Sequence, residues 1–174
     1  MGLEASILLW IQEHLRGEFL DQIFSAYTHL GDSGLLFIVL GIGLLCFPKT
    51  RRAGLTVLTA LLIGALITNV TLKPLIHRTR PFLAVEGLTA LVEAGDAHSF
   101  PSGHATAAFS FASTMLFAMK GTAWKALSLA VAVLMAFSRL YVGVHYPTDV
   151  LAGAAIGLLA GWMAGQLWER KKQR

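Results

Sequence analysis

The sequence predicts an all-α integral membrane protein: a helical bundle of about five transmembrane helices preceded by N-terminal amphipathic interfacial helices. Three observations predict it. Of 174 residues, 55% are hydrophobic and only 14% are charged, against about 25% charged in an ordinary soluble domain. Mean hydropathy is +0.64, and the apolar residues gather in runs close to the ~20 residues that a helix needs to cross a bilayer. Most of the remaining ionisable residues collect in short segments at the ends of those runs, where they are affordable only if they anchor helix ends or do chemistry.

The elements follow in order. From Leu3 to Leu15 the apolar residues Leu3, Ile7, Leu8, Ile11 and Leu15 recur at helical spacing, with Glu4, Ser6, Gln12, Glu13 and Arg16 opposite. One apolar stripe of this kind lies on a membrane surface. Phe19 to Tyr27 repeats the pattern after Gly17, so residues 1–29 read as an interfacial segment covering the ends of the bundle. Spans are expected at about 30–47, 52–72, 102–119, 123–142 and 148–168; the first holds Asp32 near its start and ends at Pro48. Residues 82–100 are long for a bundle connection and mix Phe82, Leu83, Leu88, Leu91 and Val92 with Glu86, Glu93 and Asp96. They read as a partly ordered lid. In the last span Gly153, Gly157, Gly161 and Gly165 share one face, which lets a neighbouring helix approach closely. The chain reads as one domain, 1–174, with its chemistry in 73–149. The single cysteine, Cys46, excludes an internal disulfide and offers no metal pattern, and Glu4, Glu13 and Glu18 do not suit a cleavable signal peptide.

A net charge of +4 is too small to suggest a nucleic-acid partner. The basic residues cluster instead by side. Lys49, Arg51, Arg52, Lys120, Lys125, Arg170, Lys171, Lys172 and Arg174 are nine of the fourteen and fall on one face of the expected topology. The positive-inside rule makes that face cytoplasmic, so the opposite end of the bundle faces the extracytoplasmic side of a plasma or inner membrane.

Three polar segments share that opposite end: Lys73 to Pro81, Pro101-Ser102-Gly103-His104, and Ser138 to Asp149. Pro101 to His104 reads as a helix start, with Ser102 at the cap and Gly103 letting backbone approach an anion. Lys73, Arg80 and Arg139 add three cations able to neutralise phosphoryl oxygens. His104 and His145 can divide nucleophilic attack and protonation of a leaving oxygen between them, and Asp149, four residues after His145, can fix its tautomer. No carboxylate cluster suits Mg²⁺ or Zn²⁺, so neither a metal nor another cofactor is expected.

Lys73 is followed after six residues by Arg80-Pro81, then come Pro101-Ser102-Gly103-His104, and then Ser138-Arg139 with His145 and Asp149 spaced behind them. This ordered triple resembles the type 2 phosphatidic acid phosphatase family, whose motif set also occurs in vanadium haloperoxidases. The resemblance implies that His145 is a nucleophile forming a phosphohistidine, that Asp149 orients it and that His104 donates a proton to the leaving group. It also implies that Lys73, Arg80, Ser102, Gly103 and Arg139 bind the phosphate. The expected function is metal-independent hydrolysis of a lipid phosphate or diphosphate, with undecaprenyl diphosphate, phosphatidylglycerophosphate and phosphatidate as candidate substrates. Transfer of the phosphoryl group to a second acceptor is the enzymatic alternative. A transporter or anion-binding protein is the alternative from another class, disfavoured because the charges gather at one face. His77 and Arg78 lie off the matching positions and read as supporting or solvent-facing; His14, His29 and His98 read as interfacial or loop residues; and Asn69 and Thr71 read as helix-contact residues.

Overall fold

The computed structural model describes residues 2–170. Lys171, Lys172 and Arg174, which contribute to the expected sidedness, lie outside the described residues. Among those described, regular structure is helical, apart from one isolated bridge between Thr79 and His98. The helices are α1 (Leu3–Leu15), α2 (Glu18–Leu30), α3 (Leu35–Leu45), α4 (Arg51–Ala65), α5 (Lys73–Ile76), α6 (Pro81–Ala84), α7 (Gly103–Ala118), α8 (Thr122–Tyr141) and α9 (Pro147–Arg170). A 3₁₀ turn, Asp32–Gly34, joins α2 to α3, and a π-helical stretch, Leu66–Leu72, carries α4 into α5.

Three units are long and apolar enough to cross a membrane: Arg51–Ile76, Thr122–Tyr141 and Pro147–Trp168. A fourth exists only if α2 and α3, bent by 47°, are one broken span. The expected count of five is therefore not reached by length and composition. Two local facts explain the difference. The break expected near residue 30 is a bend, made by left-handed Ser33 (φ 52°) and Gly34 (φ 74°), and only the glycine takes that conformation without steric cost. And α7 has 16 residues, about 24 Å at 1.5 Å per residue, short of a ~30 Å hydrocarbon core.

The shortness of α7 suits its position. It sits at the centre of the bundle, against α4, α8 and α9, while α3 packs on α4, and α1 and α2 lie on α8. Ala105, Ala108, Phe111, Ala112 and Met115 are buried together with Thr106, Ser110, Ser113 and Thr114, the all-round burial expected of a core helix. Its hydroxyls are largely satisfied locally: Thr106 and Thr114 donate to the carbonyls of Ser102 and Ser110 at 3.0 and 3.1 Å, and Ser113 donates to Leu158 O at 3.0 Å.

Lipid tails are as apolar as leucine, so close packing rather than apolar burial draws such helices together. The glycines of α9 provide it. A Cβ at Gly153 would come within 2.5 Å of Ser102 O, one at Gly157 within 2.5 Å of Thr106 O, and one at Gly161 would collide with Ser113. Gly165 differs: a Cβ there meets nothing within 4 Å. Outward-facing Val70, Phe117, Val133, Leu151 and Trp162 remain exposed, as lipid-facing residues of a multi-pass membrane protein should.

Residues 82–100 are tied down rather than loose. Leu88 is buried, and Phe82, Leu91 and Val92 pack against Ile11, Tyr141, Val142 and Val144. Gln12 of α1 donates to Gly87 O at 2.8 Å and accepts from Thr89 N at 2.8 Å; Arg16 donates to Thr89 O at 2.9 Å. The α1 helix thus fastens this segment over one end of the bundle.

Candidate active site

The chain places the three polar segments around one cavity of about 810 Å³, lined by Lys73, Arg80, Gly103, His104, Arg139 and His145. Ser102 and Asp149 stand behind that lining, both fully buried.

Each position has a local cause. The π stretch gives Lys73 N–H a bond to Thr68 O, five residues back; such stretches recur at functional sites, and here Asn69 and Lys73 both line the cavity. Ser102 is the N-cap of α7, its Oγ accepting from Ala105 N at 3.4 Å, while its N–H donates to Asp149 O at 3.0 Å. Its hydroxyl is thus engaged in capping. At the start of α9, Pro147 occupies the first helical position, where its missing N–H costs nothing, and Asp149 occupies the third. The Asp149 Oδ2 accepts from Tyr146 N at 2.8 Å, as the third residue of a capping box does. The same oxygen lies 3.6 Å from His145 Nδ1, beyond hydrogen-bond length but of the kind that tightens around a reacting ligand. His145 Nε2, on the other edge of the ring, is 3.3 Å from Arg80 Nη1.

The charges are arranged for an anion. Burial, reinforced by Arg139 and Arg80 and opposed by Asp149, pushes the His145 imidazole down to about 4, so it is neutral at pH 7, and its Nε2 lone pair accepts from Arg80. Arg139 is 4% exposed; one Nη donates to Thr28 Oγ1, and its Nε is buried without a hydrogen-bond partner. A buried guanidinium donor left open is costly, and an oxyanion would satisfy it.

Four polar partners complete the site, and of these only Arg78 had a supporting role among its readings in the sequence. Asp96, from the 82–100 segment, bridges two of the cations: its Oδ1 accepts from Arg80 Nη2 at 2.8 Å, its carbonyl accepts from Arg80 Nε at 2.9 Å, and its Oδ2 pairs with Lys73 Nζ. Burial works to raise the Asp96 carboxyl, but Lys73 and Arg80 outweigh it and hold it below the usual carboxylate range. Arg78, expected to be supporting or solvent-facing, donates to Asp149 Oδ1 at 2.6 Å and to Glu4 Oε2 at 2.6 Å. Glu4 in turn accepts from Thr148 N at 3.0 Å and Thr148 Oγ1 at 2.7 Å. These bonds overcome the opposing effect of burial and keep Glu4 below its ordinary value. The fourth is Asp32, whose Oδ1 lies 3.1 Å from His104 Nε2. An ionisable residue inside an apolar run was the available signal for Asp32; for Asp96, Arg78 and Glu4 the partners lie from 16 to 144 residues away, and spacing carries no trace of them.

Among the described residues no group of three His, Cys, Asp or Glu could hold a metal ion. The donor set around the cavity is cationic and fits an oxyanion. Ile38, Leu58, Leu61, Leu62 and Ala65 of α3 and α4 add an apolar part to the lining of the same cavity.

The chain is 34% identical over 148 residues to the undecaprenyl-diphosphatase BcrC of Bacillus subtilis, covering 83% of this chain and 72% of that one. It is 32% identical over 171 residues to phosphatidylglycerophosphatase B of the same organism, covering 91% and 80%. The crystal structure of Aquifex aeolicus LpxE superposes with a TM-score of 0.83 at 28% identity, over 95% of this chain and 96% of that one. The structure of the transmembrane PAP2-type phosphatidylglycerolphosphate phosphatase from Bacillus subtilis gives 0.78 at 30% identity, over 96% and 85%. Residues 53–173, well over half of the sequence and including every cavity-lining cation and both histidines, match the family model, and the chain belongs to the PAP2 superfamily.

Proposed function

We propose that this phosphatase hydrolyses a lipid phosphate or diphosphate through a covalent phosphohistidine at His145, with undecaprenyl diphosphate as the first-ranked substrate and phosphatidylglycerophosphate and phosphatidate behind it. One observation carries the lipid assignment: the cavity that holds Lys73, Arg80 and Arg139 is lined in part by apolar residues of α3 and α4. A phosphoryl headgroup can meet the cations while its chain lies along leucines. The relatives named for undecaprenyl diphosphate and phosphatidylglycerophosphate set the order of candidates.

The chemistry follows from the positions. A proton on Nδ1, toward Asp149, leaves the Nε2 lone pair of His145 facing Arg80 and the cavity. An entering phosphoryl group displaces Asp96 from Lys73 and Arg80 and takes the open Arg139 donor. Nε2 then bonds to phosphorus as the phosphorus–oxygen bond to the lipid breaks, and the departing oxygen takes a proton from His104. Such protonation contributes about 10²- to 10⁴-fold. In the second half, water gives a proton to His104 and attacks phosphorus, the phosphorus–nitrogen bond breaks, and phosphate leaves with both histidines reset. Charge on the transferring oxygens is met by the three cations and by the free amides at the start of α7.

The site opens to the extracytoplasmic side in this account, because Lys49, Arg51, Arg52, Lys120 and Lys125 lie at the other ends of the helices. Single cysteines at Glu86→Cys and Thr122→Cys in a Cys46→Ala background test this with a membrane-impermeant thiol reagent in intact cells. Labelling at 86 alone is expected; labelling at 122 alone inverts the topology. The function itself is tested by phosphate release from detergent-solubilised protein over the three lipids. Release from undecaprenyl diphosphate at the highest kcat/KM is expected, and no release from any of them overturns the proposal.

A further inference from the structure

The two histidines are not equally accounted for by the motifs. His145 has Asp149, but no motif residue serves His104, although a proton donor surrounded by cations needs a partner most. The charged and titratable groups facing His104 are Arg139 from α8, His145 ahead of α9, and Asp32 from the turn between α2 and α3. Lys73 and Arg80 line the same cavity, as do Glu93 and Asp96, the latter paired with both cations. His104 also lies in the first turn of α7, where the helix dipole disfavours a cation. Of the groups that act on His104 directly, every one but Asp32 therefore opposes the imidazolium that protonation of a leaving group requires.

Asp32 is the exception, and the fold goes to some trouble to deliver it. Its Oδ1 meets His104 Nε2 at 3.1 Å, and its Oδ2 meets His29 Nδ1 at 2.9 Å, so both carboxylate oxygens are held. The bend that carries it includes Ser33 in the left-handed region, where a non-glycine residue is strained. The turn is also pressed against the ring: a Cβ at Gly31 would sit 2.7 Å from His104 Cδ2. On the other ring edge, His104 Nδ1 makes no hydrogen bond among the described residues. That edge is free for a leaving oxygen.

We propose that Asp32 is a positioning residue for the leaving-group step: it keeps His104 protonated on Nε2 and turns Nδ1–H toward the departing oxygen, with His29 fixing the carboxylate. This rests on the hydrolytic role of His104 given above, and it makes the site one of two carboxylate–histidine pairs, Asp149–His145 for attack and Asp32–His104 for departure.

The test compares two leaving groups with purified full-length protein. Phosphatidate must expel an alkoxide and needs the proton; p-nitrophenyl phosphate expels a stable phenolate and does not. Asp32→Asn is expected to lower kcat on phosphatidate by about 10- to 100-fold, within the range that general acid catalysis contributes, with KM little changed. Its effect on p-nitrophenyl phosphate stays within a few fold. The basic limb of the pH–rate profile on phosphatidate moves to lower pH, since imidazolium without its carboxylate loses its proton sooner, and Asp32→Glu keeps that limb in place. Equal loss on both substrates, no loss on phosphatidate, or an unmoved basic limb overturns the inference. Should Asp32→Asn not fold, or p-nitrophenyl phosphate not be turned over, the limb decides, measured in Asp32→Glu and His29→Gln against wild type. Wild-type protein that releases phosphate from neither substrate fails at the earlier step, the hydrolytic function itself.

Discussion

Asp96 pairs with Lys73 and Arg80, the cations proposed to take the substrate phosphate, and removing its charge should therefore tighten anion binding. Asp96→Asn eliminates the pairs with Arg80 Nη2 and Lys73 Nζ while keeping the carbonyl bond to Arg80 Nε. The Asp96 side chain is 46% exposed, so each pair is screened by solvent and falls in the range of about 0.2–1 kcal/mol. Two such pairs amount to about 0.4–2 kcal/mol, which at 1.4 kcal/mol per tenfold is about 2- to 30-fold in affinity. The assay is competitive inhibition of phosphate release by orthovanadate and by inorganic phosphate, with kcat measured alongside. The Ki for both anions should fall by that factor in Asp96→Asn while kcat stays near wild type. A Ki that rises would show that Asp96 holds Lys73 and Arg80 in place for substrate instead of competing with it, and would refute the reasoning.

Three further outcomes follow from the same geometry. His145 should stay neutral down to about pH 4, read as the ring titration by NMR in detergent; the unfolded chain, with its ordinary value near 6.5, takes up the proton first, so stability declines as pH falls from about 6.5 toward 4. A ring titrating near 6.5 contradicts the burial argument. Gly157→Ala should lower Tm by several degrees, since its Cβ would meet Thr106 O at 2.5 Å and overpacking costs about 1–3 kcal/mol, whereas Gly165→Ala, with open space around it, should leave Tm unchanged. Turnover should survive a metal chelator; a loss restored by Mg²⁺ would show that Lys73, Arg80 and Arg139 do not supply the charge neutralisation.

What the sequence made legible was what is chemically conspicuous. Lys73, Arg80, Arg139, His104 and His145 are ionisable residues at the ends of apolar runs, and cost alone marks them; all five line one cavity. Asp149 was legible as the fourth residue after His145, while its place as a first-turn acid of α9 came from the structure. The partners of these residues were not. Arg78 reaches Asp149 across 71 residues and Glu4 across 74, and no periodicity records such pairings. The α2–α3 bend hid Asp32 in the same way: read as one apolar run beginning near residue 30, the segment gave it no partner, whereas the left-handed Ser33 and Gly34 fold it back onto α7. The span count of five is not confirmed for a related reason. Hydropathy marks α7 as apolar but does not say that protein, rather than lipid, surrounds it.

The central claim is that His145 carries the phosphoryl group in mid-reaction, and trapping that adduct tests it most directly. Protein mixed with a lipid phosphate labelled in its terminal phosphoryl group is quenched in alkali within one turnover, digested and mapped. The account predicts an acid-labile, alkali-stable label on the peptide containing His145, absent from His145→Ala protein whose fold is intact by circular dichroism. Label on any other residue, or turnover that persists in His145→Ala, would contradict it.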